Sequence, residues 1–236
     1  MTQQNLANPL PGPAPDDDTS LLAEGARYAL LQRLTPVLQH QIMGNFQSMN
    51  MIAVMLERRS ASASPNMDGL RQDCAFLGSV SDSAVKSIIN LLAWVRPKPG
   101  LAQRFDAGVE ECVNLLQSEF KLKGFDIVSK VGPVDAEICC RTLRSVLSAA
   151  LVCMSDQSAG PGLLVLSALP LVGRIELLIH LQPHEQQLPR TVFANSYRLL
   201  NWKDVELLAA AESVGLERSD TGMRLIFDVP SRKISE

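Results

Sequence analysis

Apolar residues in the first hundred positions recur at steps of three and four, the rhythm of helices that pack along a seam. Over residues 20–59 the seam runs Leu31, Leu34, Leu38, Ile42, Asn45, Met49, Ile52 and Leu56. The doubled step of four that ends at Ile42 acts as a local stutter. Pro36 lacks an N–H and leaves the Gln32 carbonyl without its helical partner, which predicts a bend. The segment SASASPN, residues 60–66, breaks the pattern, and a second helix is predicted over 67–95. Its seam runs Leu70, Cys74, Leu77, Ser81, Ala84, Ile88, Leu91 and Val95. Two seamed helices on a short loop make an antiparallel hairpin, whose core is too small to stand alone. Two copies would form a four-helix bundle, so a homodimer is expected. The alternative is that the rest of the chain covers the seam.

After the prolines and glycine of RPKPG the pattern changes. Helices are predicted at 107–122, 135–154 and 202–213, and strands at 125–131, 163–168, 174–181, 216–217 and 223–229. Helices packed on one face of a mixed sheet, an α/β sandwich, fit that order. The expected fold is α+β, divided into a disordered tail over 1–18, a hairpin over 19–96, a linker over 97–100, a sandwich over 101–230 and a tail over 231–236. The first tail carries four prolines and three consecutive aspartates and has nothing to bury.

Composition narrows the function by exclusion. The chain has 236 residues, 22 Lys plus Arg against 25 Asp plus Glu, and a formal net charge of −3. It lacks the basic excess of a nucleic-acid binder. Five cysteines with no CxxC pair fit neither a disulfide framework nor a structural zinc site. The N-terminus has no signal-peptide pattern, and the longest apolar stretch, 163–181, is interrupted by Pro170, Gly173, Arg174 and Glu176. A cytoplasmic protein without membrane or nucleic-acid partners is expected.

The candidate chemistry lies in LTPVLQHQIMGNFQSM, residues 34–49. His40 is two residues from both Leu38 and Ile42, about 200° around the helix, so it points away from the seam. An imidazole nitrogen is a competent nucleophile for phosphoryl groups. The helical hairpin, linker and sandwich, with this histidine in the first helix, resemble the core of the sensor histidine kinases. In that family the hairpin is the dimerisation and histidine-phosphotransfer domain, and the sandwich binds ATP. The resemblance implies His40 as the phosphoacceptor. Arg33, Val37, Met43, Gly44 and Gln47, on the same stretch of helix, are the candidate partner contacts.

The departures from that family are specific. Gln41 stands where an acidic general base normally follows the histidine, and Gly44 where phosphatase-active members carry a polar residue. Asn45 falls on the seam, where a polar residue fixes register. The helix that carries magnesium-binding asparagines in the family has Ala149 and Cys153 at those positions, and neither is a hard oxygen ligand. From 174 to 214 there is no glycine at all, although a phosphate-cradling loop needs one. The run RLLNWKD, residues 198–204, stands where a nucleotide lid would be and is expected to fill the vacated space. The combination resembles the dimeric histidine phosphotransferases of the ChpT type. It implies a phosphorelay carrier with no intrinsic cofactor, served by an upstream hybrid histidine kinase. Its partners would be receiver domains that bring their own aspartate and magnesium. The rival reading is a dimeric pseudokinase that binds a regulator or kinase without carrying phosphate.

Overall fold

The computed structural model describes residues 17–95, 100–184, 197–219 and 221–229. Helix α1 (Asp17–Ser60) and helix α2 (Met67–Val95) form the hairpin. Leu34, Leu38 and Ile52 are buried along the α1 seam, and Leu31, Ile42, Asn45, Met49 and Leu56 are half-buried. On α2, Ala84 and Leu91 are buried and Leu70, Leu77, Ser81 and Ile88 half-buried, whereas Cys74 and Val95 are exposed. Asn66 opens α2: its Oδ1 accepts the Asp68 and Gly69 N–H groups at 3.1 Å each, satisfying two donors that the first turn leaves free. Helix α1 continues unbroken through Pro36.

The second unit holds β1 (Ala102–Arg104), α3 (Phe105–Leu122), β2 (Asp126–Ser129), β3 (Glu137–Cys139) and α4 (Cys140–Gln157). It continues with β4 (Gly162–Leu171), β5 (Arg174–Pro183), α5 (Trp202–Ala211), β6 (Gly215–Arg218) and β7 (Gly222–Asp228). The main sheet has the order β2-β4-β5-β7-β6, and only its β2–β4 pairing is parallel. Leu164 and Leu166 of β4, Ile175, Leu177 and Ile179 of β5, and Met223, Leu225 and Phe227 of β7 are buried. That period of two puts one sheet face against the helices. Phe105, Leu116, Phe120, Leu143, Leu147 and Leu151 fill the space between.

One expected element is corrected. Residues 135–139 are not the start of a helix: 137–139 form β3, which pairs antiparallel with β1, and α4 begins at Cys140. Ile138 fits the helical period of Leu143 and Val146, but its cross-strand partner is Gln103, far upstream, and leaves no local signal. Residues 17 and 18, expected in the first tail, already belong to α1; the rest of the expected tails and most of the linker lie outside the described residues.

Hairpin and sandwich share one core. Ala26, Ala29, Leu30, Leu34 and Val37 of α1 belong to the same buried cluster as Leu143, Leu147, Leu200 and Val205, and α1 packs against α3, α4 and α5. Small residues on α1 let the helices approach closely. Ion pairs ring this contact. Arg33 Nη2 reaches Asp156 Oδ1 at 2.6 Å, and Glu212 Oε1 takes Arg27 and Arg141 at 3.0 Å each. The end of α2 is clamped as well. Trp94 Nε1 and Arg144 Nη2 both donate to Glu111 Oε1, at 3.1 and 2.8 Å, while Arg144 Nη1 donates to the Ala93 carbonyl at 3.1 Å.

Candidate functional site

His40 is exposed on α1. With 100° per residue, His40, Gly44, Gln47, Met51 and Val54 lie between about 160° and 240° around the helix from the seam, and Met43 lies about 140° from it. All six are exposed, Met43 by 55% and Met51 by 62%. Gly44 has open space where a side chain would begin, so the turn after the imidazole is clear. The Ser48 hydroxyl donates to the Gly44 carbonyl at 3.0 Å and stays along the helix.

Arg33 and Val37 do not belong to that open surface. Both are 5% exposed, and both face the sandwich. The Arg33 guanidinium is held by Asp156, which removes it as a docking contact for a partner. The reason is non-local: α5 and the end of α4 lie over this part of α1, and nothing in residues 30–40 announces them.

The site is electrically plain. From 34 to 56 the chain has no Asp, Glu, Lys or Arg, and His40 is its one titratable side chain. Gln41 is half-buried and Asn45 is half-buried on the seam, so no side chain of this stretch offers a general base. The stretch itself is neutral and thioether-rich, a composition that adapts to a docked surface. Continuing the helical period beyond Gln47 would have added Met51 and Val54 to the candidates.

A second region bears on the chemistry by what fills it. Ala149 and Cys153 are fully buried on α4. They belong to one core cluster with Leu200, Val205 and Leu208 of α5 and the segment before it. Burial pushes the Cys153 thiol up to about 12, so it is a neutral packing group at physiological pH. Leu200 is laid across the end of α4: its N–H donates to Asp156 Oδ2 at 3.1 Å and its carbonyl accepts from Gln157 Nε2 at 3.1 Å. Helix α5 starts with a capping box, Asn201 Oδ1 accepting the Asp204 N–H at 3.1 Å and Asp204 Oδ2 accepting the Asn201 N–H at 3.0 Å. Arg198 then clasps Asp204 through two bonds of 2.6 and 2.7 Å. The polar groups of 198–204 thus hold this segment down.

Among the described residues no group of three or more His, Cys, Asp or Glu is placed to hold a metal ion. None of the described helices is long and apolar enough to cross a membrane.

No family model matches the chain, and no curated protein matches it. Among solved structures it is similar to the Acinetobacter baumannii histidine kinase AdeS, at 13% identity over 78% of this chain and 98% of that one, with a TM-score of 0.44. It is also similar to a histidine kinase from Burkholderia phymatum STM815, at 11% identity over 91% and 99% of the two chains, with a TM-score of 0.42. A structure described as a bacterial phosphotransferase aligns at 11% identity over 92% and 98%, with a TM-score of 0.38. Likeness at this level says nothing about activity, which has to be read from the geometry of α1, α4 and α5.

Proposed function

We propose that this chain is a histidine phosphotransfer protein of a two-component phosphorelay, using His40 as the carrier and no nucleotide of its own. The observation that carries the reading is a contrast. His40 stands open on a helix face, while the positions that would hold a magnesium nucleotide, Ala149 and Cys153, are buried under α5.

The unprotonated nitrogen of the imidazole attacks the phosphorus of an aspartyl phosphate on a docked receiver domain. A P–N bond forms, the P–O bond to the aspartate breaks, and the carboxylate leaves as an anion. The other ring nitrogen keeps its proton, so no base is needed to complete the step. Reversal onto a second receiver restores the histidine. Magnesium belongs to the receiver, and His40 has to be presented in line with the reacting bond.

The same reading includes a homodimer. About a quarter turn to one side of the seam, α1 presents Phe46 and Ala53, and α2 presents Gly78, Val85 and Leu92. In an antiparallel pair these positions fall on a common face, and Phe46, Val85 and Leu92 are exposed on it. The sandwich packs on the N-terminal part of α1, through Ala26, Leu30 and Arg33, and Phe46 and Ala53, further along the helix, stay exposed. A second copy would bury the common face and complete a four-helix bundle.

The pseudokinase reading draws on Gln41 and on the lack of any Asp or Glu from 34 to 56. To decide, the chain is given radiolabelled ATP with an active hybrid kinase lacking its receiver, and separately a labelled receiver domain. Labelling from the receiver alone supports the carrier. A chain that binds receivers and takes no label from any of them is the interaction module.

A further inference from the structure

We infer that the junction of α1 and α4 binds a small monovalent anion, of the size of chloride, between Arg27 and Arg144. The inference is independent of the carrier reading and concerns how the hairpin is fixed to the sandwich.

The site is a cavity of about 30 Å³ lined by Arg27, Leu31 and Leu34 of α1, by Trp94 near the end of α2, and by Arg141, Arg144 and Ser145 of α4. Steps of three and four put Arg141, Arg144 and Ser145 on one face of α4, and Arg27, Leu31 and Leu34 on one face of α1. Two donors of this cluster are unanswered. Arg27 Nε and Arg144 Nε are both buried, and neither has an acceptor among the described residues. Arg144 is 9% exposed. Its other nitrogens are engaged, Nη2 by Glu111 and Nη1 by the Ala93 carbonyl. The Trp94 ring lies 5.5 Å from Arg144 Cζ and meets the flat face of the guanidinium. The Nε–H lies in the plane of that group and needs an acceptor at its edge. A buried donor on a charged group is costly to leave without one.

Charge decides the kind of acceptor. Three guanidinium groups share two carboxylates: Glu212 takes Arg27 and Arg141, and Glu111 takes Arg144. One positive charge is left over, beside walls of Leu31, Leu34 and Trp94 that offer no acceptor of their own. A single negative acceptor balances it, which a water molecule does not. Size decides the rest. A cavity of about 30 Å³ matches the share of one water molecule in the liquid, so it admits a one-atom anion and no phosphate. Bound there, chloride accepts from α1 and α4 at once and adds a tie between hairpin and sandwich.

The test is the melting temperature of the full chain as sodium chloride replaces sodium gluconate at constant ionic strength. A saturable rise of about 3–5 °C is expected by the time chloride exceeds its Kd tenfold. Arg27→Gln and Arg141→Gln are each expected to lose most of that rise, whatever their own melting temperatures in gluconate. Arg71→Gln, on the exposed side of α2, should keep it in full. Bromide, read by its anomalous scattering in crystals of the native chain, is expected between Arg27 and Arg144. Equal melting in the two salts, with water alone in the cavity, would overturn the inference. So would a chloride effect that Arg27→Gln and Arg141→Gln both retain, or bromide bound only elsewhere.

Discussion

Residue by residue, the chain separates groups that react from groups that hold. Burial pushes the Cys112 thiol up to about 12, as it does Cys153, whereas Cys74 is exposed on α2. Because the thiolate is the reactive form, a thiol reagent is expected to modify Cys74 first and to reach Cys112 and Cys153 only on unfolding, as mass spectrometry of the peptides would show. Asp204 shows the opposite shift. Burial raises its carboxyl, but the hydrogen bonds from Arg198 and from the Asn201 N–H, with the Arg198 charge, outweigh that and hold it below the usual carboxylate range. A depressed carboxyl stabilises the fold above its unfolded value, about 3.9, and that contribution fades as pH falls through the folded value. The α5 start is therefore expected to stay intact at neutral pH and to loosen below about pH 4. Asp204→Ala, measured by urea denaturation at pH 7, should cost about 1–2 kcal/mol and flatten that acid limb.

At the scale of elements, the turn from α5 to β6 offers the plainest test. Ser213 has φ +55, a left-handed conformation that glycine adopts without strain. Ser213→Gly is expected to stabilise the protein by about 0.5–1 kcal/mol, read as a higher denaturant midpoint at constant slope. The long helices were legible because their own period of three and four announces them, and the β4–β5 hairpin because Gly173 sits between two apolar runs. Strands β1 and β3 were not, because three residues carry no period and their pairing is set across the fold. The site divides the same way. The outward direction of His40, Met43, Gly44 and Gln47 comes from counting around one helix. The burial of Arg33 and Val37 depends on where the sandwich settles, and no residue near Arg33 encodes the carboxylate it meets 123 positions later.

The whole molecule is a fixed platform. Ion pairs from Arg27 and Arg33, the Arg144 hydrogen bond to the Ala93 carbonyl and a shared core hold the sandwich against the hairpin. The paired state is tested by charge on the open face. Val85→Glu is expected to turn a dimer into a monomer in analytical ultracentrifugation with the monomer still helical by circular dichroism, since Val85 points away from the intramolecular seam. A native chain that sediments as a monomer at micromolar concentration would rule out the four-helix bundle.

If His40 passes phosphoryl between receivers, a chase shows it directly. The chain is charged by one labelled receiver, purified away from it, and mixed with a second, unlabelled receiver. The carrier reading predicts an acid-labile, base-stable label on His40 that moves to the aspartate of the second receiver, and none in His40→Ala. A labelled His40→Ala chain, or a native chain that never takes up label, would contradict it.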